Sequence, residues 1–307
     1  MNSHHKVKKA VIAAAGYGTR FLVWTKSMPK EMLYLDGKPI IQHVVEELVD
    51  AGIEEIIIVG SSSKRSIEDH FDYPSADLLE NLRAGGAKKA HYIDMINEIA
   101  DIAKFIYLRQ KGRYGNGTPI VTASHLLIDE PFMFMFADDL FFTPKGVPSQ
   151  VRQMIQIHEE TGGSVLACKK ITTDREFNSY GVVAGVEIRK GLIRMTTIIE
   201  KPGRENAPSN LASVSGFLFT PEVVEALVRA SEKFEGGKEF MLQPVIQKLI
   251  DQGFEFYAKE IERGIYYDTG DQLEYFKTTV DYAIRNKEYG DAVKEFILQK
   301  AEEIKNS

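Results

Sequence analysis

The chain has 307 residues and a formal net charge of −6 at pH 7, enough length for a large core in one elaborated α/β domain or in two domains. The acidic balance argues against nucleic acid as the main partner, because such binding rests on Lys and Arg meeting phosphates. No apolar run approaches the roughly 18 residues of a membrane span, and residues 1–9 lack the apolar core of a signal peptide.

The first apolar run, residues 11–14, reads as a buried strand that breaks at Gly16 and Gly18. About twenty residues follow before the next convincing helix, and loops of that length without structure of their own are uncommon unless functional. The stretch 11–38 carries Arg20, Lys26, Lys30 and Lys38 against only Glu31 and Asp36, so it is basic inside an acidic chain. Glycines let backbone N–H groups close on a ligand, and N–H groups with Arg and Lys are what a polyphosphate needs. A phosphate-binding loop at the head of a strand is the expectation.

Pro39 suits the first position of a helix in which Ile41, Val44, Val45, Leu48 and Val49 repeat at helical spacing until Gly52. Residues 53–59 read as a second strand, and Ser61-Ser62-Ser63 as the N-cap of a short helix ending near His70. A polar insertion over 71–104 holds one helix, 91–103, before a third strand at 105–108. Gln110 to Pro119 is a second glycine-rich turn. Thr118-Pro119 then opens a helix to about Leu127, with the hydroxyl as cap and Pro at the first position. Residues 132–136, apolar at every position, suit a central strand covered on both faces, and they lead into Asp138-Asp139. A helix over 151–160 and a strand over 164–169 complete an alternation that implies a mostly parallel doubly wound sheet.

From Ser179 the texture changes. Residues 180–188 and 192–199 flank Arg189-Lys190-Gly191 as a hairpin. Strands follow at 213–219, 254–258 and 264–267, with helices at 221–230, 241–250, 272–285 and 291–304. No repeat, low-complexity tract or linker divides the chain, so a single unit over 1–307 is expected. Cys168, the one cysteine, lies beside Val165-Leu166-Ala167 as buried filler and fits a reducing cytoplasm. His4 and His5 read as an expression remnant or a disordered end rather than a metal pair. Val293, Phe296, Ile297 and Ala301 share one face of the last helix, which allows a homo-dimer or tetramer contact as well as packing on the body.

Ligands of open α/β sheets gather outside the carboxyl ends of the strands. The polar residues at those ends are Arg20, Gln110, Asp138 with Asp139, Lys201 and Asp268. Two carboxylates from distant parts of the chain, with Arg20, Lys30 and Lys201, make a candidate Mg²⁺-plus-phosphate site, since Mg²⁺ takes one or two carboxylates plus phosphate oxygens. Competing glycine-loop readings fall away. The dinucleotide fingerprint needs a third glycine where Phe21 stands, no Gly-Lys-Ser/Thr P-loop is present, and neither the kinase motifs nor Gly-x-Ser-x-Gly occur. Gly16-x-Gly18 taken alone is equally well a tight turn.

The full string is more specific. Gly16-Tyr-Gly-Thr-Arg20 with Lys26-Ser-Met-Pro-Lys-Glu-Met-Leu33 resembles the signature of the sugar-1-phosphate nucleotidylyltransferases, most of all the bacterial UTP–glucose-1-phosphate uridylyltransferase family. The resemblance continues through Lys38-Pro-Ile-Ile-Gln-His-Val-Val, residues 62–72, Arg109-Gln110, Glu200-Lys-Pro, residues 207–212 and Asp268-Thr-Gly270, and so covers nearly the whole chain. The insertion over 71–104 is similar to one that the uridylyltransferases carry and the shorter thymidylyltransferases lack. The resemblance implies a three-layer α/β/α, Rossmann-like nucleotidyltransferase fold with a mostly parallel mixed sheet. It also implies a nucleotide-binding half over 6–170, a sugar-phosphate half over 171–270 and C-terminal helices over 271–307.

The implied reaction is attack of glucose 1-phosphate on the α-phosphorus of UTP, giving UDP-glucose and pyrophosphate, with Mg²⁺ and no protein nucleophile. By the same resemblance Ala13 and Ala14, through Ala15, meet the nucleobase by backbone groups, and Gly16, Gly18 and Thr19 line the triphosphate. Arg20 holds the β- and γ-phosphates, with a surface salt bridge as its bland alternative. Lys30 meets the α-phosphate region, whereas Lys26 is as readily a solvated loop charge. Gln110 reads the uracil with its amide, beside Gly115, and is otherwise a polar strand end. Asp138 and Asp268 hold the metal. Asp139 stands where the family commonly has an apolar residue, and is expected as a helix cap or as a carboxylate one step out from the metal. Glu200 and Lys201 bind sugar hydroxyls and sugar phosphate, or form a structural ion pair, with Gly181 letting the sugar approach the backbone. The alternatives are dTTP or another sugar phosphate such as N-acetylglucosamine 1-phosphate, and a non-catalytic nucleotide-sugar sensor. One departure bears on base selection and rate: Tyr114-Gly-Asn-Gly-Thr-Pro119 stands where the family usually has Leu-Gly-x-Gly-His-Ala.

Overall fold

The computed structural model describes residues 6–112 and 114–306, so His4 and His5 lie outside the described residues. Its strands are β1 (Lys9–Ala13), β2 (Tyr34–Leu35), β3 (Lys38–Pro39), β4 (Glu55–Gly60), β5 (Lys104–Arg109), β6 (Phe132–Phe136) and β7 (Asp139–Phe142), then β8 (Ser164–Lys170), β9 (Gly181–Arg189), β10 (Leu192–Glu200), β11 (Leu211–Phe219), β12 (Phe256–Glu260) and β13 (Ile265–Asp268). Nine of them form one sheet in the order β5-β4-β1-β6-β11-β8-β12-β10-β9, and β13 pairs with β7 in a separate ribbon.

β6, Phe-Met-Phe-Met-Phe, shows why helices cover both faces. Side chains alternate across a strand. Phe132 and Phe134 join the core that contains Ile120, Val223, Leu227 and Ile246, from helices Thr118–Ala123, Pro221–Glu232 and Gln243–Asp251. Met133 and Met135 join the opposite core, with Ile41, Val44, Leu48 and Met154 from helices Ile40–Asp50 and Gln150–Thr161. β1 and β4 divide their side chains in the same way. The result is the expected three-layer α/β/α arrangement. Truncating a ring as buried as that of Phe134 to alanine removes about 3–5 kcal/mol.

The parallel expectation holds for β5, β4, β1 and β6, and again for β8 with β12. Beyond β6 the sheet is otherwise antiparallel: β11 opposes β6, β8 and β9, and β10 opposes β12 and β9. For β9 and β10 the cause is the return of the chain through the tight turn at Gly191, where φ is 75°, instead of through a crossover helix. The late strand β11 then enters between β6 and β8.

Several local expectations are corrected. The loop after β1 is folded into three 3₁₀ turns, Thr19–Phe21, Trp24–Lys26 and Lys30–Met32, and closes in the β2–β3 ladder. Pro39 is the N-cap of Ile40–Asp50 rather than its first residue. Lys64, not a serine, precedes helix Arg65–His70. The insertion holds two helices, Ala76–Ala84 and Ala87–Ala100, neither with a buried residue, so apolar periodicity gave no clue to the first. Gly117 is the N-cap of Thr118–Ala123, with Pro119 inside the first turn, and the buried Thr118 hydroxyl has no hydrogen-bond partner. Cys168 is fully buried, as expected of filler. In the last helix, Gly290–Lys305, Phe296 is exposed while Val293 and Ile297 are half-buried.

Candidate active site

The carboxyl ends of β1 and β6, side by side, set the frame. Past β1 the backbone turns at Gly18, where φ is 61°; a Cβ there would come within 3.2 Å of the Lys30 Cβ, so glycine lets the loop fold back on Lys30. Lys30 forms an ion pair with Asp138, two residues past β6. Burial disfavours the Lys30 ammonium, but the charges of Asp138 and Glu31 overcome that penalty and raise its pKa above the ordinary lysine value. On the other side of the same turn, Glu31 is sealed in an ion pair with Lys64 at 2.7 Å.

The β7–β13 ribbon, which the sequence did not reveal, supplies the second carboxylate. It pairs Asp139 with Asp268, and Thr269 ties it to the Asp138 carbonyl through its N–H at 3.0 Å and its hydroxyl at 2.6 Å. Asp268 accepts from the Gly270 N–H at 3.0 Å and from the Tyr180 hydroxyl at 3.2 Å. Gly270 keeps the space between the acids open: a Cβ there would lie 2.5 Å from Asp138 Oδ2 and 3.2 Å from Asp268 Oδ1. Burial, then the nearby Asp138 charge, raises the pKa of Asp268. Two carboxylates turned toward one small gap suit a hard divalent cation that completes its shell with phosphate oxygens and water. Among the described residues no group of three or more His, Cys, Asp or Glu forms a cage, so the protein offers a pair.

Two adjoining cavities meet at Asp138. A cleft of about 860 Å³ is lined by Arg20, Asp138, Asp139, Asp268, Tyr180 and other residues. Arg20 is exposed in the first 3₁₀ turn and donates to the Gly270 carbonyl at 3.3 Å. A smaller cavity of about 260 Å³ takes Ala13, Ala15, Gly16, Gln110, Gly115 and Lys30 into its wall, together with Asp138. Ala14 is buried behind it, its N–H bound to the Val59 carbonyl, and Thr19 is exposed at the start of the Arg20 turn. Gly115, with φ of 130°, lies so close to Phe240 that a Cβ would meet its carbonyl at 2.1 Å.

The residues expected on the sugar side form a third group. Gly181 and Glu200 are partners in the β9–β10 ladder, and a Cβ on Gly181 would lie 3.1 Å from Glu200 Oε2, a buried oxygen with no hydrogen-bond partner. Burial raises the Glu200 pKa against the opposing charge of Lys201, 3.7 Å away. Lys201 is exposed, and no described contact joins it to the Lys30–Asp138 pair. Lys26 is exposed and lines neither cavity. Asp139 is not a helix cap; it opens β7, and its Oδ2 accepts from the Ser215 N–H at 3.3 Å.

Sequence reasoning missed the far wall of the cleft: Lys169, bound to Glu176 at 2.7 Å, and Arg175, bound to Asp271 at 2.8 Å. A legible signal existed in Thr173-x-x-Glu176, a capping box that starts the short helix Asp174–Phe177.

The chain as a whole has relatives. UTP–glucose-1-phosphate uridylyltransferases of Bacillus subtilis (strain 168) and Streptococcus pneumoniae serotype 4 are 38% and 37% identical over 97% of this chain, and over 99% and 98% of their own. A crystal structure of UDP-glucose pyrophosphorylase complexed with UDP-glucose superposes with a TM-score of 0.80 at 33% identity, covering 91% of this chain and all of the other. A UTP-bound enzyme from Acinetobacter baumannii matches at 0.80 with 30% identity over 95% and 99% of the two chains. Residues 9–285 match the nucleotidyl transferase family, and with relatives matched over nearly the full length, the chain belongs to that family of enzymes.

Proposed function

We propose that this protein transfers a uridylyl group from UTP to glucose 1-phosphate, releasing pyrophosphate and leaving UDP-glucose, by direct in-line attack of the sugar phosphate on the α-phosphorus. The observation that carries this reading is the convergence of Arg20, Lys30, Asp138 and Asp268 where the two cavities meet. Relatives named for this substrate pair support it.

The sugar phosphate is already anionic, so no side chain need be a nucleophile; the task is to align two polyanions. Positioning alone supplies an effective molarity of about 10⁵–10⁸ M. In this reading Gln110, Gly115 and the backbone at Ala13 and Ala14 orient the base. Gly16, Gly18 and Thr19 present the triphosphate, and Arg20 binds its outer phosphates. Lys30 leaves Asp138 for the α-phosphate, and Lys201 with Glu200 and Gly181 seats the sugar phosphate. Asp138 and Asp268 would hold Mg²⁺, which when bound offsets charge on the phosphates and the departing pyrophosphate. We assign the protein to the cytoplasm, which the lone buried thiol of Cys168 suits, and to a homo-oligomer.

Purified protein incubated with each nucleoside triphosphate and each sugar 1-phosphate, with pyrophosphate release as readout, tests the assignment. UTP with glucose 1-phosphate should give the highest kcat/KM. Faster turnover of dTTP would overturn the base assignment, where Pro119 lies in the base-side cavity wall.

A further inference from the structure

One short stretch of β11 is built unlike the rest of that strand. β11 pairs with β9 up to Ser213 and with β6 from Gly216 onward, and its register against β8 shifts between Ser213 and Phe217. Such irregularities are frequent beside active sites, where they re-aim a side chain. Ser215, at the shift, has φ of 64°, a left-handed conformation that glycine takes freely and serine does not. It is fully buried, and its hydroxyl donates to Gln150 Oε1 at 3.0 Å, Gln150 being fully buried as well. Gly216 makes room for that amide, since a Cβ there would lie 2.7 Å from Gln150 Nε2.

The anchored backbone points its N–H at one target, the Asp139 carboxylate. Asp139 faces Asp268 across the ribbon and follows Asp138 in the chain, so three acids crowd one corner of the cleft.

We propose that Ser215 and Gln150 are positioning residues for the metal-holding carboxylates: by fixing Asp139 from behind, they set how Asp138 and Asp268 face each other. The inference rests on the reading of those two acids as metal ligands. Neither Ser215 nor Gln150 lines the cleft, so both act through Asp139.

Titration of the purified full-length protein with Mn²⁺ in the absence of nucleotide, following free Mn²⁺ by electron paramagnetic resonance, tests it. The variants are Ser215→Gly, which keeps the backbone conformation and removes the hydroxyl, and Gln150→Met, which conserves volume. Each should weaken Mn²⁺ binding about tenfold or more. The double variant should be no weaker than Ser215→Gly by more than about twofold, because Ser215→Gly already removes the bond to Gln150 together with the hydroxyl's second contact, to the Asp139 carbonyl at 3.4 Å. The melting temperature of Ser215→Gly should not fall, since glycine relieves the left-handed strain. Mn²⁺ affinity close to the parent's in both single variants would overturn the inference, even if their melting temperatures dropped. Loss of Mn²⁺ binding in Asp138→Ala but not in Ser215→Gly would sink the positioning role alone. Equal binding by Asp138→Ala and the parent would sink the metal reading and this inference with it.

Discussion

Two ion pairs begin at consecutive residues of the loop after β1 and are built for opposite ends. The Glu31 and Lys64 side chains are 1% and 5% exposed, so water cannot replace either partner. The Lys30 and Asp138 side chains are 20% and 14% exposed and open on the cavities. The sealed pair fastens the 3₁₀ turn Lys30–Met32 to the start of helix Arg65–His70. The open pair, held in place by that fastening, is the one that trades its partners for a phosphate and a cation in the proposed reaction. Charge of one kind is thus structural or functional according to what else can reach it.

The largest effect expected is on chemistry. Asp138→Ala and Asp268→Ala should each lower the rate of pyrophosphate release by about 10²-fold or more. Rates near the parent's in both would remove the functional half of the contrast. On stability the order reverses. Lys64→Met strands a buried carboxylate and should cost about 3–5 kcal/mol in urea denaturation. Lys30→Met should cost less, while affecting turnover more. The double change Glu31→Met with Lys64→Met sharpens the point: with both charges gone, most of the lost stability should return. If the double variant is as unstable as Lys64→Met, the pair is not what fastens the loop.

The smallest effect concerns a carboxylate with no cation partner among the described residues. Burial pushes the Glu47 pKa up to about 7, although it accepts from the Val151 N–H at 3.2 Å. The folded protein therefore holds this proton more tightly than the unfolded chain. The resulting stabilisation is full below the ordinary glutamate range and fades as the pH rises through about 7. Melting temperatures of the parent should consequently fall relative to those of Glu47→Gln between about pH 5 and about pH 8. A constant difference would show that Glu47 is not the titrating group.

The parallel block and glycine loop were legible because each strand there is a continuous apolar run and each stop is a glycine or a charge. The corner that assembles the acids was not. β7 is four residues long, starts on a charged residue, and finds its partner β13 more than a hundred residues later. Asp138 and Asp268 could be gathered as strand-end acids, but nothing local foretold that a ribbon joins them. Nothing local marked Lys64 either: its partner lies 33 residues away, and burial is a property of the fold. For Lys169 and Arg175 the capping box at Thr173–Glu176 announces the short helix that holds Arg175, but not that its surroundings wall a cleft.

The place of β11 has a mechanical consequence. Because its ladder stitches β6 to β8 and β9, the strands that lead to Asp138 and the strand that starts at Gly181 are one continuous plank. Swinging one against the other would tear main-chain hydrogen bonds across the middle of the molecule. Any widening of the two cavities therefore falls to segments outside the plank: the turn at Tyr114–Gly117 in the wall of the smaller one, strapped to Phe240 by two backbone bonds of 2.7 and 3.0 Å, and the loop that brings Arg20 to the larger.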